Sequence, residues 1–233
     1  MTGPSSSPAA PEPLSGLVLD RAALAPLTGK GPVRLVECDL EEADLSRLDL
    51  AGWSFERCNL RHADLSGAAL ARTVWQSCRG AFANFSAADL SEAAIGACDF
   101  NNAAFRRARI TGARFVASRM TGADFEAVRG LGFTFEEVLL VNARLAGLSF
   151  RKERIVRLDL AQADLAKCDF RGAVLEGCSL REAQLEGAQF SGADLRGADL
   201  GGLRLEDARV FRGAVISREQ AEQLLSGWGL QIR

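Results

Sequence analysis

Residues 191–200 read SGADLRGADL, two copies of a five-residue unit with a large apolar residue at its centre. Outward from this stretch, every fifth residue from Leu35 to Val215 is large and apolar except Gly80 and Gly130. Leu fills 18 of the 37 central positions and Phe fills 10, and Ala fills 18 of the 37 sites two residues before a centre. A period of five fits neither a helix nor a strand, so it indicates a repeat architecture.

A chain with this period has to coil. If each unit forms one flat side that ends in a turn, four units close a square coil, with the central residue and the small residue two before it facing inward. Stacked coils then pair their backbone amides at the ~4.8 Å spacing of neighbouring strands. The sequence therefore predicts an all-β solenoid, a quadrilateral β-helix of about nine coils.

The repeat also spells a known consensus. Ala-Asp-Leu-Ser-Gly begins at Ala63, Ala-Asp-Leu-Arg-Gly-Ala-Asp-Leu occupies 193–200, and Cys-Asp-Phe-Arg-Gly-Ala occupies 168–173. On these motifs the chain resembles the pentapeptide repeat proteins over about four-fifths of its length. The resemblance implies a right-handed quadrilateral β-helix, and it defines the fold more sharply than the function.

The non-repeating ends are expected to cap the rod. Asp20 is suited to begin a short helix that ends before Pro26, and Ser217 with Gln220 fits a capping box that starts a C-terminal α-helix. We expect four segments: a disordered N-terminal tail at 1–13, an N-terminal cap at 14–32, the β-helix at 33–216, and a C-terminal helix and tail at 217–233.

The tail carries an apolar stripe that either plugs the open end of the rod or binds a second copy of itself. Gly227 or Gly229 can end its helix, and 230–232 can add a final strand. The tail looks like the C-terminal dimerisation tail of the Qnr and MfpA branch of the family, which implies a homodimer. The dimerisation residues predicted on this basis are Ala221, Leu224, Leu225, Trp228, Leu230 and Ile232.

Two places break the pattern inside the rod. Trp75 is expected to fill the space that Gly80 leaves in the core, and around Gly130 either Phe133 compensates in the same way or the wall is distorted. Farther on, Glu153 falls in an inward register, where an unpaired carboxylate would be costly. It either meets an arginine at a distorted coil or lies in a small loop over 151–157 that projects basic residues, and we favour the loop.

Charge is uneven along the chain although the net charge is only −2. Residues 37–99 carry 11 acidic and 5 basic side chains, whereas 101–157 carry 5 acidic and 11 basic ones. Residues 158–212 are acidic again, with 10 acidic and 7 basic side chains. Twelve of the 14 aspartates stand immediately before a centre, where turn formation favours them. The rod should therefore have acidic ends and a basic waist.

No catalytic or cofactor-binding constellation is recognisable. The chain has one histidine, His62, at a surface position, no tyrosine and no phosphate-binding glycine loop, so we expect a protein that is not an enzyme and uses no cofactor or metal. Its six cysteines occupy the small inward register and are interpreted as buried substitutes for Ala. Five are expected in one column and one on the opposite side: Cys38, Cys58, Cys78, Cys98 and Cys178, and Cys168.

The chain has no apolar run of membrane-spanning length, no recognisable signal peptide, and free thiols, which together favour the cytoplasm. In the Qnr, MfpA and AlbG branch, a dimeric rod resembles duplex DNA and protects DNA gyrase or topoisomerase IV from poisons. The resemblance implies that function here, although a basic waist departs from a DNA mimic. The partner-binding residues expected are Arg151, Lys152 and Arg154 in the loop, and Glu41 and Glu42 at an acidic corner.

Two other functions remain open. The rod can be a general protein-interaction scaffold or regulatory rod with another partner. Direct nucleic-acid binding by the arginine-rich waist is the least favoured hypothesis, because the phenylalanines are committed to the core and none is left to stack on bases.

Overall fold

A computed structural model of the chain describes residues 12–203, 205–227 and 229–231. The chain forms a right-handed, four-sided β-helix, as the sequence predicts, with nine strands in one parallel sheet in chain order and thus eight turns of the chain between the first and the last. The strands are β1 Leu14–Ser15, β2 Arg34–Val36, β3 Ser54–Glu56, β4 Val74–Gln76, β5 Ala94–Gly96, β6 Arg114–Val116, β7 Thr134–Glu136, β8 Arg154–Val156 and β9 Val174–Glu176.

Each coil contains 20 residues, so four five-residue units close one turn. On the first side of the rod, Leu35 pairs with Phe55. The other sides pair through single parallel bridges with the same offset, for example Asp44 with Asp64. We number the sides one to four by the central residues of the first full coil, which are Leu35, Leu40, Leu45 and Leu50.

The core consists of the central residues and the small residues two before them. Large central side chains stack from coil to coil, as in the ladder on side three, where the ring of Phe105 lies 4.9 Å from that of Phe85 and 4.7 Å from that of Phe125. Offset ring stacking of this kind adds to the burial of apolar area. A second ladder on side four contains Phe150, Phe170, Phe190 and Phe211.

The aspartates before the centres are structural, as expected. The Oδ1 atom of Asp64 accepts a hydrogen bond of 2.9 Å from the backbone N–H of Ser66, two residues on, which fixes the turn. The same bond is made by all twelve aspartates at this position: Asp39, Asp44, Asp49, Asp64, Asp89, Asp99, Asp124, Asp159, Asp164, Asp169, Asp194 and Asp199. Their carboxylates are thus held at fixed places on the surface.

The N-terminal cap contains the predicted helix. Helix α1 spans Arg21–Leu24, and its N-cap Asp20 accepts a 3.0 Å hydrogen bond from the N–H of Ala23. A 3-10 turn follows at Ala25–Leu27, with Pro26 in its first turn. Strand β1 pairs with β2, so this cap also supplies the first strand of the sheet.

The repeat frame slips by one residue near the C-terminal end. A 3-10 segment at Leu205–Phe211 replaces the flat sides, and Phe211 rather than Val210 stacks on Phe190, at 4.7 Å. Val215, expected to face inward, pairs with Asp194 and is 47% exposed. The frame predicted to continue to Val215 is therefore wrong for its last two centres, because one extra residue enters the turn.

Helix α2 spans Arg218–Gly227 and begins with the predicted capping box. The N–H of Gln220 donates to Ser217 Oγ at 3.1 Å, and the N–H of Ser217 donates to Gln220 Oε1 at 2.7 Å. After Gly227, Gly229 adopts a φ of 79°, and Leu230 N–H donates to Leu225 O at 3.0 Å, which ends the helix in a Schellman motif. Residues 229–231 form no strand.

Volume compensation at Gly80 comes from a different side chain than expected. A Cβ atom at Gly80 would lie 2.2 Å from Cε1 of Phe100, in the coil above, so the ring of Phe100 takes the space. Trp75 contacts Phe100 edge-on at 6.2 Å and stacks on Phe55 at 3.9 Å. The core is filled as predicted, but by a residue one coil away rather than by the neighbouring side.

Candidate interaction surfaces

The predicted loop at 151–157 is absent, and this expectation is wrong. The segment follows the regular coil: Lys152 N–H donates to Arg171 O at 3.0 Å, and β8 pairs with β9 through all three of its residues. Arg154 lies in β8 and forms a two-pronged ion pair with Glu176, at 2.7 and 2.5 Å. This hydrogen bonding raises the pKa of Arg154 above its ordinary value.

Glu153 avoids burial without any loop. Its backbone keeps the repeat geometry, with a 3.1 Å hydrogen bond from its N–H to Phe150 O, but its side chain is exposed. Its place in the core is taken by Phe133, which lies one coil earlier, is 9% exposed, and contacts the ring of Phe150 at 6.0 Å. The two irregular places in the sequence are therefore stacked neighbours in the fold.

The structure does not bring the predicted partner-binding residues together. Arg151 and Lys152 are exposed on side four and at its corner, whereas Glu41 and Glu42 are exposed on side two, which is the opposite side. More than five coils separate the two groups, about 25 Å along the rod. They belong to separate surfaces.

The acidic corner lies at the N-terminal end of sides two and three. Glu41 accepts a 2.8 Å hydrogen bond from Asn59 Nδ2, which also donates to Asp39 at 2.9 Å. Arg21 of the cap approaches Asp44 at 3.3 Å, but both side chains are largely exposed, so this pair neutralises little of the charge. We use the name acidic corner for Asp39, Glu41, Glu42, Asp44 and Asp64.

The basic waist surrounds the middle of the rod, and only part of its charge is neutralised. Asp124 is approached by Arg106 at 2.5 Å and by Arg144 at 3.3 Å. Other exposed arginines of the waist have no carboxylate within ion-pair distance among the described residues: Arg107, Arg109, Arg114 and Arg129. The sequence indicates an excess of positive charge here but does not tell which arginines are unpaired.

The C-terminal tail plugs the rod. Gln220 is 7% exposed, and its Nε2 donates to the carbonyl oxygens of Leu195 and Ala198, both at 2.7 Å. Leu224 packs partly against the core. These contacts show that the inward face of the stripe plugs the end of the rod and does not bind a second copy.

Other tail residues stay on the surface. Ala221 and Leu225 are half-buried, and Leu230 is 55% exposed. Trp228 and Ile232, also predicted to mediate dimerisation, lie outside the described residues. Val215 and Ile216, which are 47% and 37% exposed, add apolar surface at the same end.

Phe82 and Leu131 are among the exposed apolar side chains that the sequence pattern did not single out. Phe82 is 52% exposed and stacks on His62, with ring centroids 5.1 Å apart, so the lone histidine contacts a neighbour instead of being fully solvated. Leu131 is 79% exposed beside Gly130. Neither stands at a central position, which is why the five-residue pattern assigns them no role.

The cysteines are all buried with free thiols, and their surroundings are those of core residues. Cys98 Sγ lies 3.4 Å from the backbone N of Cys78, one coil apart in the predicted column. Burial raises the pKa of Cys168, on the opposite side, to about 12. Among the described residues, no three His, Cys, Asp or Glu side chains are grouped to hold a metal ion.

Comparison with known proteins places the chain in a family. The family model for pentapeptide repeats matches with eight copies, over 38–74, 88–126, 159–197, 176–210 and 188–217, which together exceed half of the chain. The protein therefore belongs to the pentapeptide repeat family. Comparison with curated protein sequences gives no significant match.

Several solved structures resemble this one. A trypsin-treated variant of QnrB1, described as a plasmid-mediated fluoroquinolone resistance protein, is 24% identical with a TM-score of 0.73, and the match covers 87% of this chain and 100% of QnrB1. Full-length QnrB1 is 23% identical with a TM-score of 0.70, covering 86% and 100%. HetL, from the cyanobacterium Nostoc, is 21% identical with a TM-score of 0.42, covering 82% and 89%.

The described helices are all too short or too polar to cross a membrane.

Proposed function

We propose that the protein is a non-enzymatic, DNA-mimic-like rod that binds DNA gyrase or topoisomerase IV in the cytoplasm and protects it from a poison, either a quinolone or a natural-product inhibitor. The observation that carries the proposal is a plugged rod with a fixed acidic corner, of the same fold as QnrB1 over the whole QnrB1 chain. QnrB1 is described as a fluoroquinolone resistance protein.

The acidic corner supports the mimicry physically. Asp44 and Asp64 are in register on adjacent coils, about 4.8 Å apart along the rod, a spacing comparable to the ~3.4 Å axial rise per phosphate of one DNA strand. Their turn-forming hydrogen bonds restrict the carboxylates, which lowers the cost of ordering them on binding. A site built for phosphates attracts such a fixed row of negative charge.

The exposed apolar surface at the C-terminal end supports a homodimer. Because Leu224 and Gln220 face the rod, we assign the contact between copies to the outer surface formed by Leu225, Leu230 and Ile216, with Ala221 at its edge. Apolar side chains exposed together at one end of a rod are typical of an interface.

The proposal is tested by gyrase supercoiling in the presence of a quinolone. The wild-type protein should restore supercoiling, and Glu41→Lys combined with Glu42→Lys should raise the concentration required by about tenfold or more, because it reverses the charge that attracts the enzyme. The matched control is Glu182→Lys with Glu186→Lys, two exposed acids far along the rod, which should behave as wild type. Failure of the wild-type protein to restore supercoiling at any ratio would refute the proposal.

The dimer is tested separately by light scattering after size exclusion. Leu230→Glu should give a monomer, whereas Gln231→Glu, one residue along the same exposed segment, should remain dimeric. A wild-type protein that is monomeric at all concentrations would contradict this part of the proposal.

The second function, a scaffold for another protein partner, is favoured by one observation. The unpaired arginines of the waist give the middle of the rod a positive surface that a DNA mimic does not need. Loss of activity on reversing these arginines, with no effect of the acidic-corner variant, would favour the scaffold.

A further inference from the structure

The backbone ladder is interrupted on side four, between the coil at Gly130 and the coil at Phe150. One coil earlier the ladder is regular, since Ile110 N–H donates to Arg129 O at 2.8 Å. The equivalent bond from Gly130 N–H to Ser149 O is absent among the described residues. The hydrogen-bonded wall of the rod is therefore interrupted at this point.

The interruption continues around the corner into side one. Thr134 N–H donates to Ala113 O at 2.9 Å, but the next bond of this series, from Arg154 N–H to Phe133 O, is missing within the described part of the chain. Strands β7 and β8 keep a single registered pair, where most neighbouring strands have three. Both donors and acceptors of the backbone are thus left without a hydrogen-bond partner in the described part of the protein.

Two residues account for the opening. Gly130 lies against the coil before it, because a Cβ atom on Gly130 would stand only 2.6 Å from the backbone N of Thr111, and its φ is 140°. Phe133 occupies a position that usually holds Ala, and its ring packs between Phe135 at 5.8 Å and Phe150 at 6.0 Å. The coil that contains Gly130 therefore lies close to the coil before it. The bulky ring of Phe133 then lies between this coil and the next one, where the hydrogen bonds are missing.

The opening is surrounded by positive charge with an apolar residue in the middle. Leu131 is 79% exposed. Arg109 and Arg129 are in register on the near side, and Arg151 and Lys152 lie on the far side. None of these four cations has a carboxylate within ion-pair distance among the described residues, although Arg151 interacts electrostatically with Asp169, which is already paired with Arg171. We call the surface formed by Arg109, Arg129, Leu131, Arg151 and Lys152 the basic gap.

We propose that the basic gap binds an extended, acidic segment of a partner protein, with a large apolar side chain of that segment resting on Leu131. Stacked, unneutralised arginines repel each other, so an anionic occupant is favoured. The unpaired backbone groups include both donors and acceptors, and they therefore favour a polypeptide backbone over the phosphodiester backbone of a DNA duplex. A peptide backbone supplies both kinds of partner, whereas a phosphodiester only accepts hydrogen bonds.

Leu131 supports the same choice. An apolar side chain with 79% exposure gains from burial against an aliphatic or aromatic residue of a peptide. A DNA backbone offers it nothing comparable. The acidic corner of a second copy carries charge of the right sign, but it has no large apolar side chain among its five residues.

The experiment uses the full-length protein and three fluorescent probes at low salt: a short Glu-rich peptide with one central Leu, the same peptide with Ser in place of Leu, and a short DNA duplex. We expect saturable binding of the Leu peptide, with at least about tenfold weaker binding of the Ser peptide and of the duplex. Leu131→Ser should weaken binding of the Leu peptide by about tenfold and leave the Ser peptide unchanged. Arg129→Glu should weaken both peptides.

Arg61→Glu is the matched control, because Arg61 is an exposed arginine on the opposite side of the rod and has no ion-pair partner among the residues that the structure describes. It should bind the Leu peptide as wild type does. Both Arg129 and Leu131 are exposed, so their variants should keep the melting curve of the wild type. Hydrogen exchange gives a second readout. The Leu peptide should slow the exchange of the backbone amides of Gly130 and Arg154, and the Ser peptide at the same concentration should not.

Three results would overturn the proposal: no saturable binding of the Leu peptide, binding equally affected by Arg61→Glu, or duplex binding that is stronger than peptide binding and insensitive to Leu131→Ser. The last of these would assign the surface to nucleic acid. No gyrase is present in the assay, so its outcome is independent of the proposed protection of gyrase.

Discussion

Gly80→Ala is expected to destabilise the rod although it adds only one methyl group. The new Cβ would lie 2.2 Å from Cε1 and 2.5 Å from Cδ1 of Phe100, well inside contact distance. Phe100 has little room to move, since its ring contacts Phe85 at 5.3 Å and Trp75 at 6.2 Å. Overpacking of this kind costs about 1–3 kcal/mol.

A smaller effect opposes this cost. Gly80 does not have a positive φ, so alanine fits its backbone conformation. Because alanine also lowers the conformational entropy of the unfolded chain, it stabilises the folded protein by about 0.4–1 kcal/mol. Steric overlap should prevail, and Gly80→Ala should lower the free energy of unfolding by about 1–2 kcal/mol. In a Phe100→Leu background the overlap is relieved, and the same substitution should become neutral or slightly stabilising.

The assay is urea unfolding followed by tryptophan fluorescence, because Trp75 is buried in the coil of Gly80 and Trp53 is buried in the coil before it. The matched control is Gly96→Ala, where the nearest atom to a new Cβ is Oε1 of Gln76, at the end of a flexible side chain. It should cost much less than Gly80→Ala. Additive costs for Gly80→Ala and Phe100→Leu would refute the reasoning, because they would show that the two residues do not share one space.

Three further predictions concern other parts of the rod. Gln220→Ala should lower the free energy of local opening at the C-terminal end by about 2–4 kcal/mol, because two buried carbonyl oxygens lose their donor. Hydrogen exchange of the amides in the last coil measures this energy, and unchanged exchange would contradict the plug. Hydrogen bonding to Arg171 lowers the pKa of Asp169 to about 2, so this pair should stabilise the fold above the ordinary value of 3.8 and lose its effect as the pH falls to about 2. Arg171→Gln should therefore reduce stability at neutral pH but not below about pH 2, and an equal loss at both would argue against the linkage. Cys168, with a pKa of about 12 and full burial, should react with a thiol reagent only as fast as the protein unfolds, and rapid reaction of the native protein would show that the coil opens locally.

The regular part of the fold follows from the sequence because it rests on local rules. Each aspartate before a centre needs only the N–H two residues later, and Ser217 and Gln220 need only each other. Apolar spacing then closes the coil without any information from distant residues. Such features can be predicted from one chain with no knowledge of its neighbours in space.

The irregular features depend on stacking between coils, and there the sequence is less informative. The pattern shows that Glu153 does not suit the core, but only the fold shows that Phe133 lies beneath it and fills the space. The slip near the C terminus escapes notice for a simpler reason. Val210 and Phe211 are both apolar, so the expected centre is apolar whether or not the frame slips by one residue. Only the stacking of Phe211 on Phe190 shows that it does slip.

The position of the basic gap limits how the proposed DNA mimicry can work. The acidic corner lies on sides two and three near the N-terminal end and the gap lies on side four in the middle of the rod, so a topoisomerase site that accepts the acidic end meets negative charge over the first coils and positive charge at the waist. The positive waist would then be repelled from the phosphate-binding surface that attracts the corner. A rod with both features can engage two partners of opposite charge at once, and reversal of the charge at Arg129 should strengthen binding to gyrase while it weakens binding to an acidic peptide. If that reversal instead weakens both, the two surfaces contact the same partner.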